Sequence, residues 1–360
     1  MRKGDKIGKY LILQDFIVAG GMSKISFARK GDTEYFIKEF LAPRYPVDGS
    51  PGSPAMISKR KTRCDTFELH HKKLNEAIGS KCSFGGNLVY AIDFFRSGTS
   101  YYKVSEKIDI ASISTKDISL LPLGSILIIL KTITHSLKIL HELKIVHGDL
   151  KPDNILIKQT KTGGYTTKLI DFDNSYFSKN APSNREEVVG TPEYYSPELA
   201  KYIKSDEADR NELTVQSDIF ALGVIFSEYL SGQKPVFNKK YNYTWEVIES
   251  GNIINLAHNG RTKNLRELLL AMLQKDHAKR PTINNVFETL QQSDVLSELL
   301  EKTIDPLTTE DPLRKGSVLK GKGLSISKKD DLKTSSHDSK PKIVDDPPAL
   351  KGKGLGISKK

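Results

Sequence analysis

From residue 10 to 42, apolar and polar side chains alternate in short runs, YLILQDFIVAG, KISFARK and EYFIKEF. That period of two belongs to half-buried strands, and Gly20 and Gly21 punctuate the runs as a hairpin turn would. The next stretch, RYPVDGSPGSPAM at 44–56, is rich in Pro, Gly and Ser and reads as a loop. A helical pattern follows in KRKTRCDTFELHHKKLNEAIG and stops at Gly79. Strand-like runs return in NLVYAIDFF and YYKVSEK. A long amphipathic helix is then expected over 123–143, with Leu127, Leu130, Ile133, Leu137 and Leu140 on one face. From 199 to 300 the pattern is mostly helical, notably over 217–231 and 264–274. A β-rich first third followed by a helical remainder predicts an α+β fold of two unequal lobes, 1–108 and 109–305.

The pattern ends near residue 306, where the composition shifts to Lys, Asp, Ser, Gly and Pro. Such a segment buries too little apolar surface to offset its ordering entropy, so 306–360 is expected to be a disordered basic tail. The charge distribution agrees. The chain carries +11 overall, yet 306–360 alone holds 13 basic against 7 acidic side chains, which leaves the rest nearly balanced. Net charge is therefore no argument for a nucleic-acid footprint on the folded part. The tail contains a repeat, LKGKGLSISKK at 319–329 and LKGKGLGISKK at 350–360, differing only at Ser325 and Gly356. Two copies of a short motif suit a multivalent docking element for a partner protein. No aromatic side chain interleaves with the tail's lysines, so nucleic-acid binding is not expected.

Cys64 and Cys82 fit neither a metal spacing nor a disulfide framework and read as cytoplasmic thiols. The start, MRKGDKIGKY, lacks the apolar stretch of a signal peptide, and LPLGSILIIL at 121–130 falls short of a membrane span. A cytoplasmic protein without a membrane span is the expectation.

Six strings carry candidate chemistry. IVHGDLKPDNILI (145–157) follows the long helix and holds Asp149, Lys151 and Asn154; KLIDFDN follows it with Asp171. VGTPEYYSPEL (189–199) contains Glu198, SDIFALGVIF (217–226) contains Asp218, and QKDHAKRPTI contains Arg280. A buried Glu198 needs a cationic partner, for which Arg280 is the candidate. Ahead of these, YFIKEF supplies Lys38. In this order the strings resemble a bacterial eukaryotic-like (Hanks-type) protein kinase over roughly residues 10–300, and Lys151 resembles the serine/threonine rather than the tyrosine branch.

The resemblance implies a two-lobed kinase fold, ATP and Mg2+ as cofactors, and protein substrates. Asp149 would accept the attacking hydroxyl's proton, Lys151 would neutralise the moving phosphate, and Asn154 and Asp171 would hold the metal. Lys38 would grip the α- and β-phosphates. Its acidic partner belongs on the following helix, where Glu68 is expected and His71 and Glu76 are rivals for the same face. IVAGGMSKISFA would cover the phosphates through Gly20, Gly21 and Ser23, with Val18 and Ser23 standing where the family has its first and third glycines. KVSEKID would line the adenine site, with Ser105 at its back and Glu106 to Ile108 as the hinge. Asp218 would brace the catalytic-loop backbone from below.

Two departures bear on regulation. Gly148 replaces the arginine that receives an activation-loop phosphate, so activity independent of phosphorylation at Ser175, Ser178 or Ser183 is expected. Asp173 replaces the glycine after Asp171-Phe172, and either stiffens that hinge or adds a carboxylate near the metal. A pseudokinase scaffold and a small-molecule phosphotransferase are competing readings. Retention of Lys38, Asp149, Asn154 and Asp171 argues against the first, and the GTPEYYSPE segment with Asp218 and Arg280 argues against the second.

Overall fold

A computed structural model describes residues 2–19, 23–83, 86–108, 112–206, 208–252 and 263–292, together with 254 and 256. All of them lie in one compact unit, Met1–Leu307. Gly20, Gly21 and both tail repeats lie outside the described residues.

The first part is an antiparallel sheet. Its strands are β1 (Lys6–Ile7), β2 (Tyr10–Ile12), β3 (Ile17–Ala19), β4 (Ser23–Lys30) and β5 (Thr33–Phe40), then β6 (Ala91–Ser97) and β7 (Ser100–Glu106) after α1 (Pro54–Gly79). The order is β1-β2-β4-β5-β7-β6, with β3 paired to β4. β4 and β5 form a hairpin from Ser23 opposite Phe40 to Lys30 opposite Thr33, turning at Gly31, whose φ of +59° suits a residue without a Cβ. Ile7, Tyr10, Ile12, Ala28, Ile37, Tyr102 and Val104 close the core on one face. Strand alternation sends Lys38 of β5 and Lys103 of β7 to the other face, directly opposite each other.

The helix α1 starts inside the segment expected to be a loop. Ser53 caps it by accepting the Met56 N–H at 3.3 Å, and Pro54 occupies its first turn. The same Ser-Pro chemistry that reads as a loop also opens helices, since proline's missing N–H is not needed there. Its buried face carries Cys64, His71, Leu74 and Ile78.

The second part holds α2 (Thr115–Ser119), α3 (Leu123–Glu142), β8 (Ile145–Val146), β9 (Ile155–Gln159), β10 (Tyr165–Leu169) and β11 (Tyr176–Phe177). It continues with α4 (Pro197–Lys204), α5 (Gln216–Ser231), α6 (Thr244–Glu249), α7 (Lys263–Met272) and α8 (Ile283–Gln291). Among the described residues α3 alone is long and apolar enough to cross a membrane, but its Leu127, Leu130, Ile133, Leu137 and Leu140 are buried in the largest core. That core also takes the apolar side chains of α5, which ends at Gly232 in a left-handed cap (φ +79°). The short pairs β8–β11 and β9–β10 stand on this helical base and carry the loops that matter for chemistry.

Candidate active site

The loop between β8 and β9 is fixed from below. Asp218, buried in the first turn of α5, accepts the His147 N–H at 2.8 Å and the Gly148 N–H at 3.3 Å. The same carboxylate accepts His141 Nε2 of α3 at 3.1 Å. One buried anion with several donors holds the backbone of the loop. His147 is itself fully buried, reaches Ile170 O at 3.2 Å, and packs its ring against Phe172.

On that base Asp149 and Lys151 meet. Lys151 Nζ donates to Asp149 Oδ2 and to Thr191 Oγ1, each at 2.9 Å, and the Thr191 hydroxyl donates to Asp149 Oδ1 at 2.9 Å. Thr191 was not singled out as a site residue, although it stands in the GTPEYYSPE string; its role depends on the segment folding back over the loop. Asn154 Nδ2 donates to Asp149 O at 2.7 Å, and the Ile170 N–H donates to Asn154 O at 3.0 Å. These two bonds tie the loop to the end of β10, where Asp171 stands.

Asp171 has φ +63° and ψ +70°, a strained setting for a residue with a Cβ, held by the burial of the next side chain, Phe172, in the main core. Its carboxylate accepts Lys38 Nζ at 3.1 and 3.2 Å. The donors present suit Mg2+. Asp171 is 36% exposed and so reachable, and with Asn154 Nδ2 bound to Asp149 the amide's other polar atom is an oxygen, the hard donor Mg2+ takes. Among the described residues no group of three or more His, Cys, Asp and Glu side chains gathers to hold a metal. Two protein oxygens plus phosphate oxygens is the usual arrangement for Mg2+ in nucleotide sites.

The expected partner of Lys38 is not where the sequence put it. Glu68 Oε1 pairs with Lys72 Nζ at 2.6 Å, one turn along α1 on a part-exposed face. The α1 position turned inward is His71, packed against Phe40, Phe67 and Phe94 with ring centroids 4.4–5.2 Å away. Burial, and then the neighbouring charges of His70, Lys103 and Lys38, push its pKa well below the ordinary 6.5, so it is a neutral ring. Lys38 Nζ instead meets Asp173 Oδ2 at 2.5 Å, and Lys103 pairs with the other oxygen of that carboxylate. Burial alone would raise the Asp173 pKa; the two lysines overcome it and drive the value far below the carboxylate range.

The remaining expected residues are placed as follows. Ser23 opens β4, buried, with its hydroxyl donating to Ala19 O at 3.0 Å. Glu106 ends β7 and its carboxylate accepts Lys168 Nζ at 2.6 Å; Ile108 is half-buried two residues on, and Ser105 is buried in β7. Glu198 and Arg280 make a two-armed pair, 2.7 Å on each arm, with Ser217 donating to the same carboxylate at 2.9 Å. Burial raises the Glu198 pKa, but Arg280 outweighs it and holds the group ionised.

Ser175 and Gly148 are both structural. The Ser175 hydroxyl is buried and donates to His147 O at 2.8 Å, and its own carbonyl accepts His70 Nε2 at 2.9 Å. Its hydroxyl is thus committed to holding the catalytic loop. Gly148 has φ +80°, and a Cβ there would stand 2.3 Å from Asn174 O. The glycine is demanded by backbone geometry as well as leaving the loop without an arginine.

A family profile described as "Protein kinase domain" matches residues 57–290, well over half of the chain. The chain belongs to the protein kinase domain family. The match begins inside α1, so Ser23 and Lys38 precede it. The Corynebacterium efficiens protein named "Serine/threonine-protein kinases drp72" is 30% identical over 153 residues, 42% of this chain and 27% of its own length. "Serine/threonine-protein kinases PknA" of Corynebacterium glutamicum is 30% identical over 161 residues, 44% of this chain and 32% of its own length. Mouse "Serine/threonine-protein kinase ULK3" is 29% identical over 162 residues, again 44% and 32%. The chain spans less than half the length of these relatives.

Proposed function

We propose that this kinase domain transfers the γ-phosphate of ATP to serine and threonine hydroxyls of proteins. The observation that carries the reading is the closed set of contacts among Asp149, Lys151 and Thr191, at 2.9 Å each. A carboxylate that accepts a hydroxyl's proton sits beside a cation that neutralises the phosphate in flight, and the substrate-side segment is latched to both. Phosphoryl transfer needs positioning and charge stabilisation rather than covalent chemistry, and this arrangement supplies both. Lys38 orients the α- and β-phosphates, and Asn154 and Asp171 hold Mg2+ through their oxygens. The metal, when bound, screens charge on the phosphate oxygens. Glu106 to Ile108 offer backbone groups to adenine, and the segment holding Gly20, Gly21 and Ser23 covers the phosphates.

We infer further that activity does not wait for phosphorylation of the activation segment. Ser175–His147, the β8–β11 pairing and Thr191–Asp149 hold that segment in place without any phosphate. The tail, with its two repeats, is read as a docking element for partner proteins, and a kinase that draws on ATP fits a cytoplasmic setting. The test is transfer of labelled phosphate from Mg2+·ATP. Asp149→Asn should lower turnover by about 100-fold or more while leaving the thermal midpoint unchanged. Wild-type turnover in that variant would sink the assignment.

A further inference from the structure

Lys38 and Lys103 form a cross-strand pair in neighbouring strands, Lys38 opposite Lys103 in the β5–β7 register. Like charges directly opposite one another repel, more so when both side chains are only 11–14% exposed. Neither the sheet nor α1 relieves them. Glu39 is engaged with Arg44, Glu68 with Lys72, and the inward position of α1 holds the neutral His71. Both counter-charges come from the short turn after β10.

The two carboxylates there are not equivalent. Asp171 is 36% exposed and lies 3.1 Å from Lys38 and 3.5 Å from Lys103. Asp173 is 12% exposed, meets Lys38 at 2.5 Å and pairs with Lys103 through its other oxygen. A metal bound at Asp171 would draw that carboxylate from the lysines. If Asp171 were the sole anion, Lys103 would then be left without a counter-charge and Lys38 with the bound phosphates alone. Asp173 removes that difficulty. It also has the freedom to be there: its backbone lies in a single helical turn, Phe172–Asn174, without the positive φ that would ask for glycine.

We propose that Asp173, bracketed by Lys38 and Lys103, is the positioning residue for the phosphate-binding lysine, taking the part for which a glutamate on α1 was expected. This rests on the kinase reading above. Lys38 is thereby anchored to the turn that carries Asp171, so its placement is coupled to the metal carboxylate and not to where α1 sits. Lys103 has a definite share in this: it takes the second oxygen of the Asp173 carboxylate.

The test uses the full chain with two variants. Asp173→Asn keeps the shape and removes the charge. Asp173→Asn/Lys103→Met removes one charge of each sign and so guards against loss of folding. For both, kcat/KM for ATP should fall by roughly 10- to 100-fold, the range expected when an outer-shell partner is lost. The KM for a protein substrate should stay at its wild-type value. Recovery of wild-type kcat/KM in the double variant would reduce Asp173 to a counter-ion for Lys103 and overturn the proposal. So would an effect confined to the Mg2+ requirement, which would make Asp173 a metal ligand. Calorimetric titration with Mg2+·ATP reads the same contact without chemistry. A wild-type chain that binds nucleotide but transfers nothing would end the kinase reading, while weaker binding in the variants would still uphold the role of Asp173.

Discussion

At the scale of single residues, the molecule separates positions that can be read from chain neighbours from those that cannot. Asp149, Lys151 and Asn154 stand within one loop, and their chemistry is visible from spacing. Glu198 and Arg280 lie 82 positions apart, yet a buried carboxylate implies a cation, and the pair is there with 2.7 Å on both arms. The partner of Lys38 could not be found that way. It depends on which faces of two strands meet and on a turn 135 positions later, as the Lys38–Asp173 contact shows. Gly148 is a similar case: its lack of an arginine is legible, but the reason is tertiary, since the carbonyl of Asn174 occupies the space of a Cβ. Gly148→Arg is thus expected to fail as a way of installing phosphate-dependent control. It should lower stability by about 1–3 kcal/mol through the positive φ alone, with further loss from the clash. Thermal unfolding and a transfer assay, before and after phosphatase treatment, check this; a stable variant that gains a phosphorylation-dependent lag would contradict it.

At the scale of elements, the helix α1 shows both the reach and the limit of pattern reading. Its end at Gly79 was visible, whereas its beginning at Pro54 was hidden because Ser-Pro serves equally in loops and at helix starts. Its orientation was hidden too, since Glu68 and His71 lie on adjacent parts of the surface and packing decides between them. His71 wins the inward place because Phe40, Phe67 and Phe94 form an aromatic pocket that takes a neutral ring and would exclude a carboxylate. This docking carries a pH dependence. The folded-state pKa of His71 lies well below 6.5, so the unfolded chain takes up the proton first. Stability contributed by the neutral ring is therefore full above about pH 6.5 and declines as pH falls, by about 1.4 kcal/mol per pH unit until the folded value is reached. His70, lowered by burial in the same way, adds to the decline. Denaturant midpoints measured between about pH 7 and 5 should fall for the wild type and fall less for His71→Leu. Parallel curves would show that His71 is not the group being titrated.

At the scale of the whole chain, the described residues share one main core that supports the site. The main core joins α3, α5, α7 and α8, and the braces from Asp218, Ser175 and Thr191 all arise within it. Over half of the surplus charge and both repeats fall beyond it, so the tail is expected to act on partner choice and not on chemistry. Removing residues after 305 should leave turnover on a generic protein substrate within about twofold and abolish retention of partners in pull-downs. Equal recovery of the same partners would make the tail a plain linker. The central claim, that this kinase domain phosphorylates protein hydroxyls, is tested most directly by phosphosite mapping. Purified full chain is incubated with a lysate, ATP and Mg2+, with the Asp149→Asn variant as control. New phosphoserine and phosphothreonine that appear with the wild type and not with the variant are the result the account predicts. Identical phosphosites in both, or label found only on small molecules or tyrosine, would contradict it.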